Sequence, residues 1–290
     1  MSMEKTYLKF SEFLTLASNT LISLIKILLR SKFRVHLPMS EKESCIVLGN
    51  GPSLKQSLQK HPDFFKNHPL ICVNSFSVTK EYEELKPTYY IILDPGFWYS
   101  GNTDATVALE SIKTKTSWPI HILVPQLARK ATRITELAKQ NSNITIHYFN
   151  YTVFKGFESI AHFLYKKNLA MPQSQNVLVA SLFLSVNIGF KKIYLFGADH
   201  SWHQHLHVNK ENVLCVKHIH FYEDLEEVEY VPFYKGAHLK ETFKMHEIMT
   251  TLGKTFYGYD IMNNYAKSSN TCIYNASEIS FIDTFNRLKL

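Results

Sequence analysis

After Pro38 the chain alternates short apolar runs, at 44–49, 70–74, 89–94, 120–124, 144–149 and 192–197, with longer stretches of helical length. Strands that alternate in this way with helix-length segments build crossover units around a parallel sheet. The expected fold is α/β and Rossmann-like, with a largely parallel sheet and helices on both faces. Segments 126–140 and 176–188 have the length and apolar spacing of covering helices. The second is apolar nearly all round, which marks a central, buried helix. Residues 199–240 are rich in His, Tyr and acids and show little periodicity, so they are read as a lid-like excursion inserted before a further helical segment at 240–252.

The first apolar run breaks into Gly49-Asn50-Gly51-Pro52-Ser53-Leu54. That is a strand, a turn of phosphate size and a helix start. Gly49 and Gly51 permit backbone angles and close approaches that a side chain would hinder, and Ser53 is a good N-cap whose following amides would point at an anion. A nucleotide or diphosphate is the natural ligand.

The 290 residues are 45% hydrophobic and 20% charged, enough to bury a full core. A formal charge of +7 favours anionic partners. The Lys and Arg residues are scattered among acids rather than gathered in a stripe, so nucleotides, anionic glycans or a membrane surface fit better than nucleic acid. Cys45, Cys72, Cys215 and Cys272 show no close paired spacing, which indicates a reducing, cytoplasmic compartment and no structural zinc.

Residues 1–40 form a separate amphipathic, basic segment ahead of a domain at 41–290. Apolar positions 10, 13, 14, 17, 21, 24, 25 and 28 recur at helical spacing, and Arg30, Lys32 and Arg34 follow. The run 21–25, apolar but for Ser23, is far short of the roughly 20 residues that span a bilayer. A helix of this kind with a basic exit would lie on the cytoplasmic leaflet, a peripheral membrane contact through residues 7–35. Alternatively the same face packs on the domain core or on a second subunit of a homo-oligomer. No small-residue cleavage site of a secretory signal is present.

In an open α/β sheet the ligand sits beyond the carboxyl ends of the strands. The residues there are Gly49, Asn50, Gly51 and Ser53 after the first run, Asn74 and Ser75 after the second, Asp94 after the third, and Gly197, Asp199 and His200 after the sixth. Small polar groups and a carboxylate suit the phosphate, ribose and base of a nucleotide. Asn176, opening the central helix, joins this set. Imidazoles at His203, His205 and His207 would share a face in an extended strand. A zinc site also wants a fourth ligand and a buried second shell, neither visible in the sequence, so these histidines are read as solvated or substrate-facing. His238 lies where the excursion returns to a helix, and its ring would titrate near neutrality as a base.

The glycine turn, with Cys72-Val73-Asn74-Ser75 and Ile193-Tyr194-Leu195-Phe196-Gly197-Ala198-Asp199, resembles two related groups. One is the bacterial lipooligosaccharide sialyltransferase family; the other is the 6-hydroxymethylpterin pyrophosphokinase-like domain family, also found in flagellin glycosylation accessory proteins. The first resemblance implies a glycosyltransferase with a CMP-sialic acid or related nonulosonate donor, a glycan or glycolipid acceptor, a role in surface polysaccharide synthesis and no cofactor. It implies that Asn50 and the Gly51 turn hold the CMP, that Asn74 contacts the nucleotide, that Asp94 occupies the next strand-end position, and that His238 is the base; Asp199, by its own place after the sixth run, would hold a hydroxyl or an ion. Where that family has Thr-Ser-Gly before its central helix, this chain has Gln173-Ser174-Gln175. The second resemblance implies ATP, magnesium and a carboxylate pair such as Asp94 and Asp199. A third reading is a non-catalytic nucleotide-binding partner.

Overall fold

Each apolar run becomes a strand. In the computed structural model, which describes residues 3–99, 102–222, 228–236 and 239–290, these strands are β1 (Ser44–Leu48), β2 (Leu70–Val73), β3 (Tyr89–Ile91), β4 (Ile120–Pro125), β5 (Ile144–Phe149) and β6 (Lys192–Phe196). A small antiparallel sheet follows, made of β7 (Leu206–Val208), β8 (Leu214–Val216) and β9 (Val231–Pro232), and then β10 (Cys272–Asn275) and β11 (Asn286–Arg287). Among the described residues the main sheet has the order β11-β10-β6-β1-β2-β3-β4-β5, and every neighbouring pair is parallel. The helices are α1 (Met3–Arg30), α2 (Ser53–Lys60), α3 (Pro62–Lys66), α4 (Glu81–Leu85), α5 (Thr103–Lys115), α6 (Thr132–Gln140), α7 (Glu158–Lys166), α8 (Val177–Ile188) and α9 (Met245–Ser268).

Successive strand residues point to opposite faces of a sheet. Cys45 and Val47 therefore join Leu182 and Phe183 of α8 and Met262 and Tyr265 of α9 in one core. Ile46 and Leu48 join Leu54 of α2, Tyr82 of α4, Ile112 of α5 and Leu137 of α6 in the other. A strand buried on both faces must be apolar throughout, which is why the central strands read as continuous runs rather than alternating ones. The apolar helix α8 is the crossover from β5 to β6, and all of it but Val177 and Asn187 is buried.

Three expectations change in detail. Segment 126–140 divides into a 3-10 turn, Gln126–Lys130, and α6. The excursion at 199–240 is not wholly irregular, since its described residues include β7 to β9. The helix expected at 240–252 begins at Met245 and runs on to Ser268.

The amino-terminal segment is the helix α1, but its apolar face does not pack on the core. Leu14, Leu21, Ile25 and Leu28 are exposed, while Thr20, Ser23 and Ile27 face the domain. Although no clean apolar run is long, the helix over Lys5–Arg30 as a whole is long and apolar enough to cross a membrane by length and composition, with a mean hydropathy of 1.5 over its most apolar stretch.

The exit of α1 is pinned to the sheet by Asn150, which follows β5 and is 3% exposed. Its Nδ2 donates to the carbonyls of Lys32 and Asn168, both at 2.8 Å, and its Oδ1 accepts from the Lys32 amide at 2.8 Å. Truncation would strand three backbone groups in a site from which water is largely excluded. Asn150→Ala should therefore lower stability by about 2–3 kcal/mol in urea unfolding; an unchanged midpoint would show that this junction is not held there.

Candidate functional site

The chain leaves β1 toward β2 and later returns to pair β6 on the other side of β1. Connections that depart in opposite directions leave a crevice at the carboxyl ends of the two strands, the switch point at which α/β sheets bind ligands. A cavity of about 260 Å³ lies there. This is slightly below the roughly 300–1,000 Å³ of small-molecule sites, enough for one end of a nucleotide.

The turn after β1 is built on backbone contact. The Gly49 amide donates to the Phe196 carbonyl at 2.8 Å and the Gly51 amide to the Gly197 carbonyl at 2.9 Å, so β1 and β6 stay paired beyond their last strand residues. A Cβ on Gly49 would lie 2.4 Å from the Gly197 oxygen, and one on Gly197, whose φ is +61°, would lie 2.4 Å from the Gly49 oxygen. Gly49 therefore serves a backbone crossing and does not line the cavity. Gly51 does line it, and a Cβ there would come within 2.5 Å of the Asp199 carboxylate.

Asp199 alters the reading of the helix start. Its carboxylate accepts from the Ser53 amide at 2.9 Å and the Ser53 hydroxyl at 2.5 Å. Pro52, not Ser53, occupies the N-cap position of α2. The anion at this N-terminus is thus a carboxylate of the chain itself, placed where a helix favours negative charge. Ser53 is buried away from the cavity and positions Asp199. Burial pushes the Asp199 carboxyl up from its ordinary value, and the two Ser53 donors pull it the other way.

Asn50 and Asn74 form the next wall. Asn50 Nδ2 donates to the Val73 carbonyl at 3.4 Å, and its Oδ1 is buried with no hydrogen-bond partner among the described residues. Such an orphan acceptor is costly unless a ligand donor completes it. Asn74, at φ +45°, lines the cavity while its carbonyl accepts from the Tyr90 hydroxyl at 2.5 Å. Ser75 enters the 3-10 turn Asn74–Val78 and does not line the cavity. Asp94 also stands apart. It is exposed and caps a 3-10 turn by accepting from the Gly96 amide at 2.7 Å. The strand order explains this, because β2 separates β3 from β1 and β3 lies on the side away from β6.

Asn176 and His200 close the cavity floor, and Tyr259 is buried behind them. Asn176 caps α8, its Oδ1 accepting from the Val179 amide at 3.0 Å. Its Nδ2 lies 3.2 Å from both His200 Nε2 and the Tyr259 hydroxyl, which are themselves 2.5 Å apart. His200 is 6% exposed, sits at φ +55° and stacks on Trp202 with ring centroids 4.3 Å apart. Burial holds its pKa down at about 3 and pushes the Tyr259 phenol up, so both are neutral at physiological pH. Tyr259 comes from α9, far along the chain, and in sequence is one more aromatic in an apolar helix.

The excursion supplies the roof through Trp202, His205, Lys217, His218, Ile219 and His220. It is pinned by the Phe221 amide, which donates to the Asn50 carbonyl at 3.0 Å, and by the Phe221 ring 5.7 Å from that of Phe76. His205 is held below its ordinary pKa by burial, by the Lys217 charge and by His203. His203 lies in a 3-10 turn against Phe281, and His207 in β7 against Tyr230, so the alternating histidines do not share a face. Among the described residues no three His, Cys, Asp or Glu side chains converge to hold a metal. His238, the expected base, lies outside the described residues; just before it, Lys235 pairs with Glu241 and Glu247 ahead of α9.

Residues 15–205, about two-thirds of the chain, match the model of a family described as 6-hydroxymethylpterin diphosphokinase MptE-like. Comparison with curated proteins gives no match. Among solved structures the chain is similar to the MAf glycosyltransferase from Magnetospirillum magneticum AMB-1, with a TM-score of 0.51 and 13% identity, over 90% of this chain and 35% of that one. This chain thus spans about a third of that protein, and the likeness is one of fold.

The His200 environment has a pH signature. An unfolded histidine titrates near about 6.5. Below that value the unfolded state binds a proton that the folded state refuses until about pH 3, so the stabilising effect of the neutral ring is complete above about 6.5 and is lost on acidification. The slope is on the order of 1.4 kcal/mol per pH unit. His121, His147, His162 and His205 are also held down by burial, so the difference between wild type and His200→Asn isolates this ring. Asparagine tolerates the left-handed φ. Denaturant unfolding from pH 7 to 4 should give a shallower acid slope in the variant, and equal slopes would place His200 in contact with water.

Proposed function

The chain belongs to the MptE-like family, and we propose that it is a glycosyltransferase using a nucleotide-activated sugar on a glycan or lipid-linked acceptor at the cytoplasmic face of a membrane. The observation that carries this reading is the crevice between β1 and β6, in which Asn50 Oδ1 lacks a partner and Lys217 is the cation among polar, mostly uncharged walls. A ribose hydroxyl or a base amine would satisfy Asn50, Asn74 and Asn176 would bound the nucleoside, and Lys217 would face the phosphate. A CMP-linked nonulosonate is first among donors, with surface polysaccharide as the product. The acceptor oxygen would attack the anomeric carbon while the bond from that carbon to the phosphate oxygen breaks and the nucleotide leaves with the electron pair. The acceptor proton would pass to His238. Asp199 would hold the turn and not the proton, since both its oxygens are engaged by Ser53.

The family's description favours a second reading, ATP-dependent diphosphoryl transfer, in which magnesium would be held by carboxylates. The residues described fit this poorly: Asp199 is the carboxylate lining the cavity, its oxygens are bonded to Ser53, and Asp94 lies outside. A non-catalytic nucleotide-binding role is the remaining alternative.

Calorimetric titration with CMP, CDP, UDP, GDP and ATP, each with and without magnesium, separates the three. Magnesium-independent preference for CMP is expected. Magnesium-dependent preference for ATP would move the assignment to diphosphoryl transfer, and binding of none would support the non-catalytic role. With an active donor in hand, His238→Ala should reduce turnover about a hundredfold or more while donor affinity holds, the range of general-base catalysis. Unchanged turnover would remove His238 from the mechanism.

A further inference from the structure

α1 is docked to the domain by its polar side. Ser23 Oγ donates to the Lys155 carbonyl and accepts from the Lys155 amide, both at 2.9 Å. Thr20 Oγ1 accepts from the Phe157 amide at 3.0 Å, and Ser31 Oγ donates to Thr152 Oγ1 at 2.8 Å. On the opposite side Leu21, Ile22, Ile25, Leu28 and Leu29 are 49–79% exposed. A soluble helix ordinarily presents these faces the other way round. The outward face therefore needs an apolar cover.

Between the two faces Lys26 and Arg30, one turn apart, line a cavity of about 870 Å³ that Lys32, Arg129 and Lys130 complete at the carboxyl ends of β4 and β5. No acid lines this cavity, and none of the five cations pairs with one among the described residues. Gln126 Oε1, also in its wall, is buried without a hydrogen-bond partner. Cations beside an exposed apolar helix are the signature of binding to anionic lipid.

We propose that α1 lies in the interface of an anionic membrane with its apolar face down, and that the basic cavity takes the phosphate of a phospholipid headgroup, whose hydroxyl would satisfy Gln126. A second copy of the chain fits less well as the cover. An isologous interface sets a patch against itself, which would bring Lys26 and Arg30 toward their own copies. Spanning the bilayer fits less well too. Residues 20–31 are tied by hydrogen bonds to 152–157 and so lie against the domain, not in lipid. The inference does not depend on the transfer reaction, because its readout is binding.

The test is co-sedimentation of the full chain with vesicles of phosphatidylcholine alone or mixed with phosphatidylglycerol. Wild type should prefer the anionic vesicles, and K26A/R30A/R129A should lose that preference on the order of a hundredfold, about fivefold per cation removed, with an unchanged melting curve. L21S/I25S/L28S should weaken binding to both kinds of vesicle. Equal binding of wild type and the charge variant to anionic vesicles would overturn the headgroup site. Titration with inorganic phosphate as tight as vesicle binding would assign the cavity to a free phosphate instead. Failure to bind vesicles, with a dimer that L21S/I25S/L28S dissociates, would assign the apolar face to a second copy.

Discussion

Beyond Leu48 and Phe196 the first and sixth strands go on pairing through glycine, with the Gly49 and Gly197 backbones closer than any side chain would allow. The rest of the crevice follows from that crossing. It brings Asp199 over Gly51, where the carboxylate can reach the first turn of α2. It turns His200 back at a left-handed angle toward α8 and α9, and so sets the ring against Asn176 and Tyr259. The glycines here serve the protein's own backbone rather than a ligand's close approach.

The sheet and its central helix were legible in the sequence because their signals are local. A strand covered on both faces must be a continuous apolar run, and a crossover helix buried all round must be apolar all round. Gathering residues from successive strand ends likewise brought Asn50, Gly51, Asn74, Asp199 and His200 to one cavity, which Asn176 joins from the start of α8. What failed to come through was spatial order. Nothing in a run of apolar residues states that β3 lies on the far side of β2 from the switch point, which is why Asp94 seemed eligible. Nor does a Ser at a helix start disclose that its natural anion is supplied by a carboxylate 146 residues away. Tyr259 was hidden for the same reason, since an inward-facing aromatic on a long helix reads as core until its partners are known.

Electrostatically the crevice is quiet. Its most buried titratable groups, His200 and Tyr259, are held neutral by loss of solvent, and its carboxylate is spent on a helix terminus. Charge enters from the roof through Lys217, which lies over the Tyr230 ring, while a larger group of cations without an acid partner among the described residues lies beside α1, Arg129 among them over the Tyr148 ring. Both cavities thus occupy the same carboxyl edge of the sheet. Between them a cavity of about 380 Å³ shares Lys26, Tyr151 and Val153 with the basic one and ends at Gln175, the neighbour of Asn176.

The manner in which α1 is attached sets how firmly it is attached. Its seat is made largely of hydroxyls, with Ile27, part of Leu24 and the Phe13 ring against Phe157 as the apolar contribution, and each such hydrogen bond has a net worth of only about 1 kcal/mol. Thr20 already donates to the Leu16 carbonyl within its own helix, and Ser18 likewise turns back on Leu14. Helix hydroxyls can therefore keep a partner when the helix lifts, and the freed Lys155 and Phe157 amides would find water. The attachment is thus a sum of small terms: lifting α1 would withdraw only Ile27 and the flank of Leu24 from the first core, and would carry Lys26 and Arg30 out of the basic cavity while leaving its other wall in place.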